Sequence, residues 1–133
     1  MGFAFIPVDS DTKVSSRALL EQIQTPPPTR GTKEYIILRE SREVAFVSLD
    51  HLPDSTDIVI FEIYVDPACR GRGIGTAIMR ELELFASRRG CTKIVLCPQP
   101  LDSSVTREAL VRWYSSLGYR RSAQSHDVME KKI

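Results

Sequence analysis

The sequence predicts one mixed α/β domain, in which strands and helices alternate along the chain. Several short runs are rich in β-branched and aromatic residues, as strands are. After residue 74 the apolar residues recur every three or four positions, which is the period of a helix. The length of 133 residues is enough for one domain with a hydrophobic core, so we expect residues 1–133 to form a single domain.

The N-terminal third is predicted to form a strand, a helix and a loop. The run Phe3 to Val8 reads as a first strand, and Ser15 to Ile23 as a helix with Ala18, Leu19 and Ile23 on one side. The prolines between Thr25 and Thr32 exclude a helix or a central strand there, because each one removes a backbone donor. We therefore expect a stiff loop.

Three strands are predicted next. Glu34 to Glu40 and Glu43 to Leu49 are strand-like runs separated by two residues, which indicates a hairpin. The run Asp57 to Val65 is almost wholly apolar, as in a central strand covered on both faces. Glu62 interrupts this run, and a carboxylate there is costly unless it is paired or faces a cleft.

The second half is predicted to contain two helices and three strands. The first helix begins near Ile74, continues through Ile78, Leu82 and Phe85, and ends at Gly90. A strand follows at Lys93 to Cys97, and a helix at Val105 to Leu117. The expected buried side of this helix consists of Ala109, Leu110, Trp113 and Leu117, with Gly118 closing it. Tyr119 to Gln124 and Asp127 to Ile133 are the last strand candidates.

Composition excludes several classes of protein. A formal net charge of +1 gives no basic excess for nucleic acid. No apolar run reaches membrane-spanning length, and no signal peptide is recognisable. The three cysteines form no C-x-x-C pair, and the two histidines lack metal-ligand spacing, so no metal is expected. Free cysteines favour a reducing cytoplasm.

The turn from Ala68 to Met79 contains three glycines and two arginines, Arg70 and Arg72. It leaves a strand and enters a helix, whose first N–H groups have no internal partner and carry partial positive charge. Glycines let an anion approach these amides, which predicts a phosphate or pyrophosphate site. The pattern fits R-x-x-G-x-G and neither the dinucleotide fingerprint nor the P-loop. A glycine-rich turn with solvated arginines is the alternative.

Two separated stretches then resemble one family. "IYVDPACRGRGIGTAIM" followed by "LVRWYSSLGYRRS" is similar to the GNAT superfamily of acyl-CoA-dependent N-acyltransferases. The resemblance is specific over residues 58 to 123 and extends to the rest only in the order of elements. It implies a mostly antiparallel sheet that is splayed open between two parallel strands and flanked by helices.

The resemblance also implies the site. Pantetheine of acetyl-CoA would pair with the backbone of Ile63, Tyr64 and Val65. The residues that would hold the pyrophosphate are Arg70, Gly71, Arg72, Gly73, Ile74, Gly75 and Thr76. The tyrosine that matches Tyr114 often serves as the general acid in this family.

The chain departs from the family pattern in three places. An asparagine that many members carry early in the second motif helix is absent, and Arg107 lies seven residues before Tyr114. The loop Pro98 to Ser104 looks longer than usual. The glutamate that some protein N-acetyltransferases carry on the fifth strand is missing from "VLCPQ".

Two further side chains, those of Glu62 and Cys97, have two interpretations each. Glu62 is either the base that deprotonates the amine, directly or through water, or an ordinary paired glutamate. Cys97 is either acylated or, as we expect, a small buried hydrophobe. We expect Trp113 to belong to the core.

The leading function is transfer of an acetyl group from acetyl-CoA to a primary amine, with Tyr114 and Glu62 as catalytic residues. The acceptor would be a small molecule or a peptide, and a homodimer is left open. One alternative is a non-catalytic acyl-CoA-binding regulatory module. Another is a structural domain whose glycine turn binds no ligand.

Overall fold

The computed structural model describes residues 2–9, 11–24, 31–51, 54–100 and 103–133. Most of the predicted loop Thr25 to Thr32 lies outside these residues, and Thr32 already begins a strand. The strands are β1 (Phe3–Pro7), β2 (Thr32–Arg39), β3 (Arg42–Asp50), β4 (Asp57–Val65), β5 (Lys93–Leu96), β6 (Arg120–Arg121) and β7 (Met129–Lys132). The helices are α1 (Arg17–Leu20), α2 (Ile74–Arg88) and α3 (Arg107–Ser116).

The described strands form one seven-stranded sheet in the order β1-β2-β3-β4-β5-β7-β6. β4 and β5 are parallel, and the other neighbouring strands are antiparallel. The predicted mixed α/β fold with a mostly antiparallel sheet is confirmed. The parallel pair requires a crossover connection, and α2 supplies it between β4 and β5.

A β-bulge in β4 sets the direction of its side chains. Ser48 of β3 lies opposite Glu62, and the next residue, Leu49, lies opposite Ile60. Phe61 is therefore an extra residue that reverses the alternation along β4. As a result Ile60 and Ile63, three positions apart, both pack against the core cluster that contains the buried residues of α2, and Tyr64 packs on the other face of the sheet.

The two faces of the sheet are covered by different helices. On one face α2 buries Ile74, Ile78, Met79, Leu82 and Ala86, close to the predicted stripe. On the other face α1 buries Leu19 against Ile36, Phe46 and Tyr64 of three neighbouring strands. β4 is thus central, as predicted, but its cover is incomplete at the bulge, where Phe61 is 43% exposed.

The helix predicted over Ser15 to Ile23 is much shorter in the structure. The Ser16 hydroxyl accepts a hydrogen bond from the backbone N–H of Leu19, so it caps the helix at its second predicted residue. Glu21 is the C-terminal cap, which leaves a single turn. A turn this short gains little from helix propensity and depends on the burial of Leu19.

Candidate active site

A cleft with a volume of about 360 Å³ opens between the C-terminal half of β4, the N-terminus of α2 and α3. Among the described residues, every residue predicted for the site lines this cleft except Arg72. The Arg72 side chain is exposed elsewhere on the surface. The cleft brings together Glu62, Ile63, Tyr64, Val65, Arg70, Gly71, Gly73, Ile74, Gly75, Thr76 and Tyr114.

The cleft exists because β4 extends beyond its parallel neighbour. β4 pairs with β5 from Asp57 to Ile60, and β5 ends at Leu96. From Phe61 to Val65 the edge of β4 on that side faces the cleft, while its other edge still pairs with β3. Backbone N–H and C=O groups on an open strand edge can pair with an extended ligand.

The glycine-rich turn lines this cleft with a backbone that only glycine adopts without strain. Gly71 and Gly73 have φ values of 80° and 72°, a region that L side chains rarely adopt. A Cβ at either position would meet no atom within 4 Å, so the space beside both is open. The backbone geometry of the turn therefore favours glycine at residue 73, and the open space beside it leaves room for a ligand.

The N-terminus of α2 is uncapped. The first helical hydrogen bond runs from the Ala77 N–H to the Gly73 carbonyl at 3.1 Å. No side chain caps the helix, and its first turn carries no acidic residue. The N–H groups of Ile74, Gly75 and Thr76 thus have no partner inside the helix, and the helix dipole adds partial positive charge. This end of α2 suits a bound anion.

The Arg70 side chain stabilises the turn through two hydrogen bonds. Its Nε donates to the Val65 carbonyl at 3.0 Å, and its Nη1 donates to the Ser104 hydroxyl at 3.0 Å. The guanidinium carbon also lies 4.9 Å from the ring centroid of Tyr64. These contacts tie the end of β4 to the loop before α3, so the Arg70 side chain positions the cleft while still bordering it.

Trp113 has a role that the sequence did not reveal. We expected it in the core, and it is half-buried in the wall of the cleft with one side against the core. Its indole N–H donates to the Thr76 hydroxyl at 3.1 Å. A Cβ added to Gly75 would lie 3.3 Å from its ring, so this glycine allows α3 to approach α2 closely. Trp113 fixes the turn against α3.

Tyr114 is the fully buried residue of α3, and its side chain lines the cleft. Its ring packs between Trp113, at 4.8 Å, and Tyr119, at 5.9 Å. Burial raises the pKa of its phenol well above the usual range, so the hydroxyl keeps its proton near neutral pH. None of the hydrogen bonds between described residues uses this hydroxyl. It is available as a donor to a ligand in the cleft.

Glu62 lies on β4 beside the bulge and lines the same cleft. Its Oε2 atom is buried and has no hydrogen-bond partner among the described residues. Burial, and to a smaller extent the nearby carboxylate of Glu34, raises the pKa of the Glu62 carboxyl. A raised pKa makes a carboxylate a stronger base, which is the property that amine deprotonation needs.

Cys97 does not follow the prediction of a buried hydrophobe. Its thiol is exposed and lies in the lining of the cleft. The reason is that β5 ends one residue earlier, at Leu96, where the parallel pairing with β4 also stops. Arg107 also sits apart from the cleft lining, and its guanidinium lies 3.5 Å from the Asp127 carboxylate on the surface.

Two further searches concern the described residues. None of their helices is long and apolar enough to cross a membrane. The His, Cys, Asp and Glu side chains in the described part of the chain form no group of three or more that could hold a metal ion.

Comparison of the sequence with family profiles gives one match over most of the chain. Residues 31–121 match the Acetyltransferase (GNAT) domain. This range includes β2 to β6 and every residue that lines the cleft. No curated protein matches the sequence.

Solved structures share the fold at low sequence identity. A GNAT family acetyltransferase from Elizabethkingia anophelis with acetyl-CoA bound has a TM-score of 0.68 and 14% identity, over 99% of each chain. An aminoglycoside 6'-N-acetyltransferase complexed with coenzyme A has a TM-score of 0.68 and 18% identity, over 99% of this chain and 97% of that one. The PaiA N-acetyltransferase from Thermoplasma acidophilum, in complex with coenzyme A, has a TM-score of 0.60 and 17% identity, over 77% of this chain and 62% of that one.

Proposed function

The chain belongs to the GNAT acetyltransferase family, and on this basis we propose that it transfers the acetyl group of acetyl-CoA to a primary amine by direct attack. One observation carries the proposal. A single cleft gathers the open edge of β4, the uncapped amides of α2 and the side chain of Tyr114. We propose that residues 1–133 act as one domain, on a small-molecule or peptide amine, and, because the cysteines are free, in the cytoplasm.

The turn and the strand edge would hold the coenzyme. The N–H groups from Gly71 to Thr76 supply donors for the pyrophosphate, and the glycines let it come close. The backbone of Ile63 to Val65 would pair with pantetheine along the open edge of β4. Two separate anchors fix the thioester in the cleft, and fixing both reactants removes much of the entropic part of the barrier.

Tyr114 is proposed as the general acid. Its hydroxyl is protonated and has no partner among the described residues, so it can donate to the sulfur as the carbon–sulfur bond breaks. The burial that raises the pKa of Tyr114 also disfavours a free thiolate in the same cleft, so the departing sulfur is a ready acceptor for the proton. Trp113 and Tyr119 hold the ring in place.

Glu62 is proposed as the base. An alkylamine is largely protonated near neutral pH, and only the neutral form attacks the thioester. Glu62 has a raised pKa and a buried oxygen without a described partner, so it can accept the ammonium proton directly or through water. Glu62 takes one proton from the ammonium group, and the neutral amine forms the carbon–nitrogen bond as the carbon–sulfur bond breaks. Tyr114 gives its proton to the departing sulfur, and the second proton that the nitrogen loses returns to the Tyr114 phenolate, directly or through water. The net products are the amide, the CoA thiol and protonated Glu62, and Tyr114 is restored.

Coenzyme binding is the first test of this function. We expect acetyl-CoA and CoA to raise the melting temperature, because a ligand that binds only the folded state stabilises it, by about 2.7 kcal/mol at one hundred times Kd. Pantetheine lacks the pyrophosphate and should stabilise the fold much less at the same concentration. Differential scanning fluorimetry measures both. An unchanged melting temperature at saturating acetyl-CoA would remove the coenzyme site and the function with it.

Glu62→Gln tests the base through activity and stability together. We expect slower turnover that partly recovers at high pH, where more of the amine is already neutral. We also expect higher thermal stability at neutral pH. The pKa of Glu62 is higher in the folded chain than its ordinary value of 4.5, so the folded state keeps this proton to a higher pH than the unfolded state does. The free energy of unfolding therefore falls as the pH rises from 4.5 through the raised pKa. Glutamine has no proton to lose and avoids this cost.

The control for this variant is Glu40→Gln, a change of the same type at an exposed carboxylate outside the cleft. It should alter neither the melting temperature nor the pH–rate profile. If Glu62→Gln shows the same pH–rate profile as the parent protein, Glu62 is not the base.

A further inference from the structure

A second cleft, also with a volume of about 360 Å³, lies at the other end of α2. Phe85 and Arg89 border it from the C-terminal end of that helix, about 17 Å and about 22 Å along the helix axis from Ile74 at 1.5 Å per residue. The ends of β2, β3 and β4 form the rest of the wall. The lining residues are Gly31, Lys33, Tyr35, Leu49, His51, Ile58, Phe85 and Arg89. The volume lies in the range of small-molecule sites.

The two charged residues that line this second cleft, Lys33 and Arg89, are both basic, and no described lining residue is acidic. Neither Lys33 nor Arg89 is within ion-pair distance of a described carboxylate. Like charges that share a cleft repel each other, and a bound anion would offset that repulsion.

The floor of the second cleft is apolar and aromatic. The rings of Tyr35 and Phe85 meet edge to face with centroids 5.5 Å apart, and Phe5 stacks behind Phe85 at 4.9 Å. Leu49 and Ile58 are buried beside them. A half-buried aromatic surface of this kind favours a ligand with an apolar or aromatic body, in contrast to a fully hydrated ion.

The side chains of Arg89 and His51 are held in place. The Arg89 guanidinium carbon lies 3.5 Å from the ring centroid of Phe85, a stacked arrangement that keeps the side chain over the cleft. The His51 Nε2 atom donates to the Ser55 carbonyl at 3.1 Å, because a carbonyl can only accept, and it also lies 3.4 Å from the Cys91 sulfur. A guanidinium held over the cleft in this way loses less entropy when it binds an anion.

We propose that the second cleft binds a small organic anion, a carboxylate carried on an aromatic or other apolar body. Lys33 and Arg89 would contact the carboxylate, and Tyr35 and Phe85 would contact the body. This site lies outside the cleft proposed for acetyl transfer. Ligand binding there does not require acetyltransferase activity, so either proposal can be contradicted without affecting the other.

The experiment is a titration of the full chain with benzoate, in which NMR records the chemical shifts of the protein's backbone amides. We expect saturable shifts at residues 31–35 and 85–89. Benzamide, which has the same shape without the charge, should bind at least about tenfold more weakly, since charged hydrogen bonds are about twice as strong as neutral ones. Inorganic phosphate, which lacks the apolar body, should also bind more weakly than benzoate.

Substitutions of the basic residues test whether benzoate binds in the second cleft. The double variant Lys33→Gln and Arg89→Gln changes two exposed side chains, so it should stay folded, and we expect it to lose at least about tenfold in benzoate affinity. Arg88→Gln removes a neighbouring exposed arginine outside the cleft and should bind normally. The absence of saturable shifts, equal binding of benzamide or phosphate, or unchanged affinity in the double variant would each overturn the proposal.

Discussion

Tyr114→Phe is expected to slow acetyl transfer about a hundredfold, at the low end of the effect of general acid catalysis, while the protein binds acetyl-CoA almost normally. Phenylalanine keeps the ring between Trp113 and Tyr119 and removes only the hydroxyl. None of the hydrogen bonds between described residues uses that hydroxyl, so its removal leaves no described group unpaired. Stability should therefore change little. The CoA thiolate is a fairly good leaving group, which is why we do not expect a larger loss.

The kinetic constants distinguish the roles that Tyr114 could have. A proton donor interacts with the sulfur most strongly as negative charge develops, so the loss should fall on kcat. Tyr35→Phe makes the same change at a half-buried tyrosine that lines the second cleft and not the cleft proposed for acetyl transfer, and we expect parent-like turnover from it. Equal kcat values for Tyr114→Phe and the parent protein would remove the acid role. Weaker coenzyme binding with an intact kcat would make Tyr114 a coenzyme contact.

Gly73→Val is expected to weaken acetyl-CoA binding by between tenfold and a hundredfold. A charge-assisted hydrogen bond contributes roughly 1.5 to 3 kcal/mol, and a side chain at residue 73 would keep the pyrophosphate from at least one of the amides of α2. The φ of 72° at Gly73 also makes valine strained, at a cost of roughly 1 to 2 kcal/mol of stability. The melting temperature should therefore fall even without coenzyme.

Gly90→Val is the control that distinguishes the effect of backbone strain on stability from the effect of the substitution on acetyl-CoA binding. Gly90 lies after the C-terminus of the same helix, has a φ of 79°, and would place a Cβ in open space. It should lose similar stability and bind acetyl-CoA with the parent affinity, as measured by calorimetry at a temperature where both variants are folded. If folded Gly73→Val also binds with unchanged affinity, residue 73 serves the backbone of the turn alone.

The elements that depend on local sequence could be predicted. The period of α2 and its closing Gly90 are properties of neighbouring residues, and the structure confirms both. The glycines of the turn likewise indicated an unusual backbone, which Gly71 and Gly73 adopt. The expectation that Glu62 is paired or faces a cleft came from its place in an apolar strand, whereas the expectation for Tyr114 came from the family resemblance.

The features that the sequence did not predict depend on contacts between distant segments. The extra residue Phe61 is defined by the register of β4 against β3, which no local pattern encodes. The exposure of Cys97 follows from where the pairing of β4 with β5 stops. The bond from Trp113 to Thr76 and the bond from Arg70 to Ser104 join residues more than 30 positions apart. α1 is too short for a periodic signal to fix its ends.

The most direct test of acetyl transfer is to incubate the protein with acetyl-CoA and a panel of primary amines, and to measure free thiol together with the acetylated amine. The panel should include amino acids, polyamines, aminoglycosides and peptide N-termini. We expect at least one amine to release thiol in proportion to its own acetylation, at a rate that Tyr114→Phe lowers. If acetyl-CoA raises the melting temperature but no amine is acetylated above the spontaneous rate, the protein is a coenzyme-binding module without catalysis.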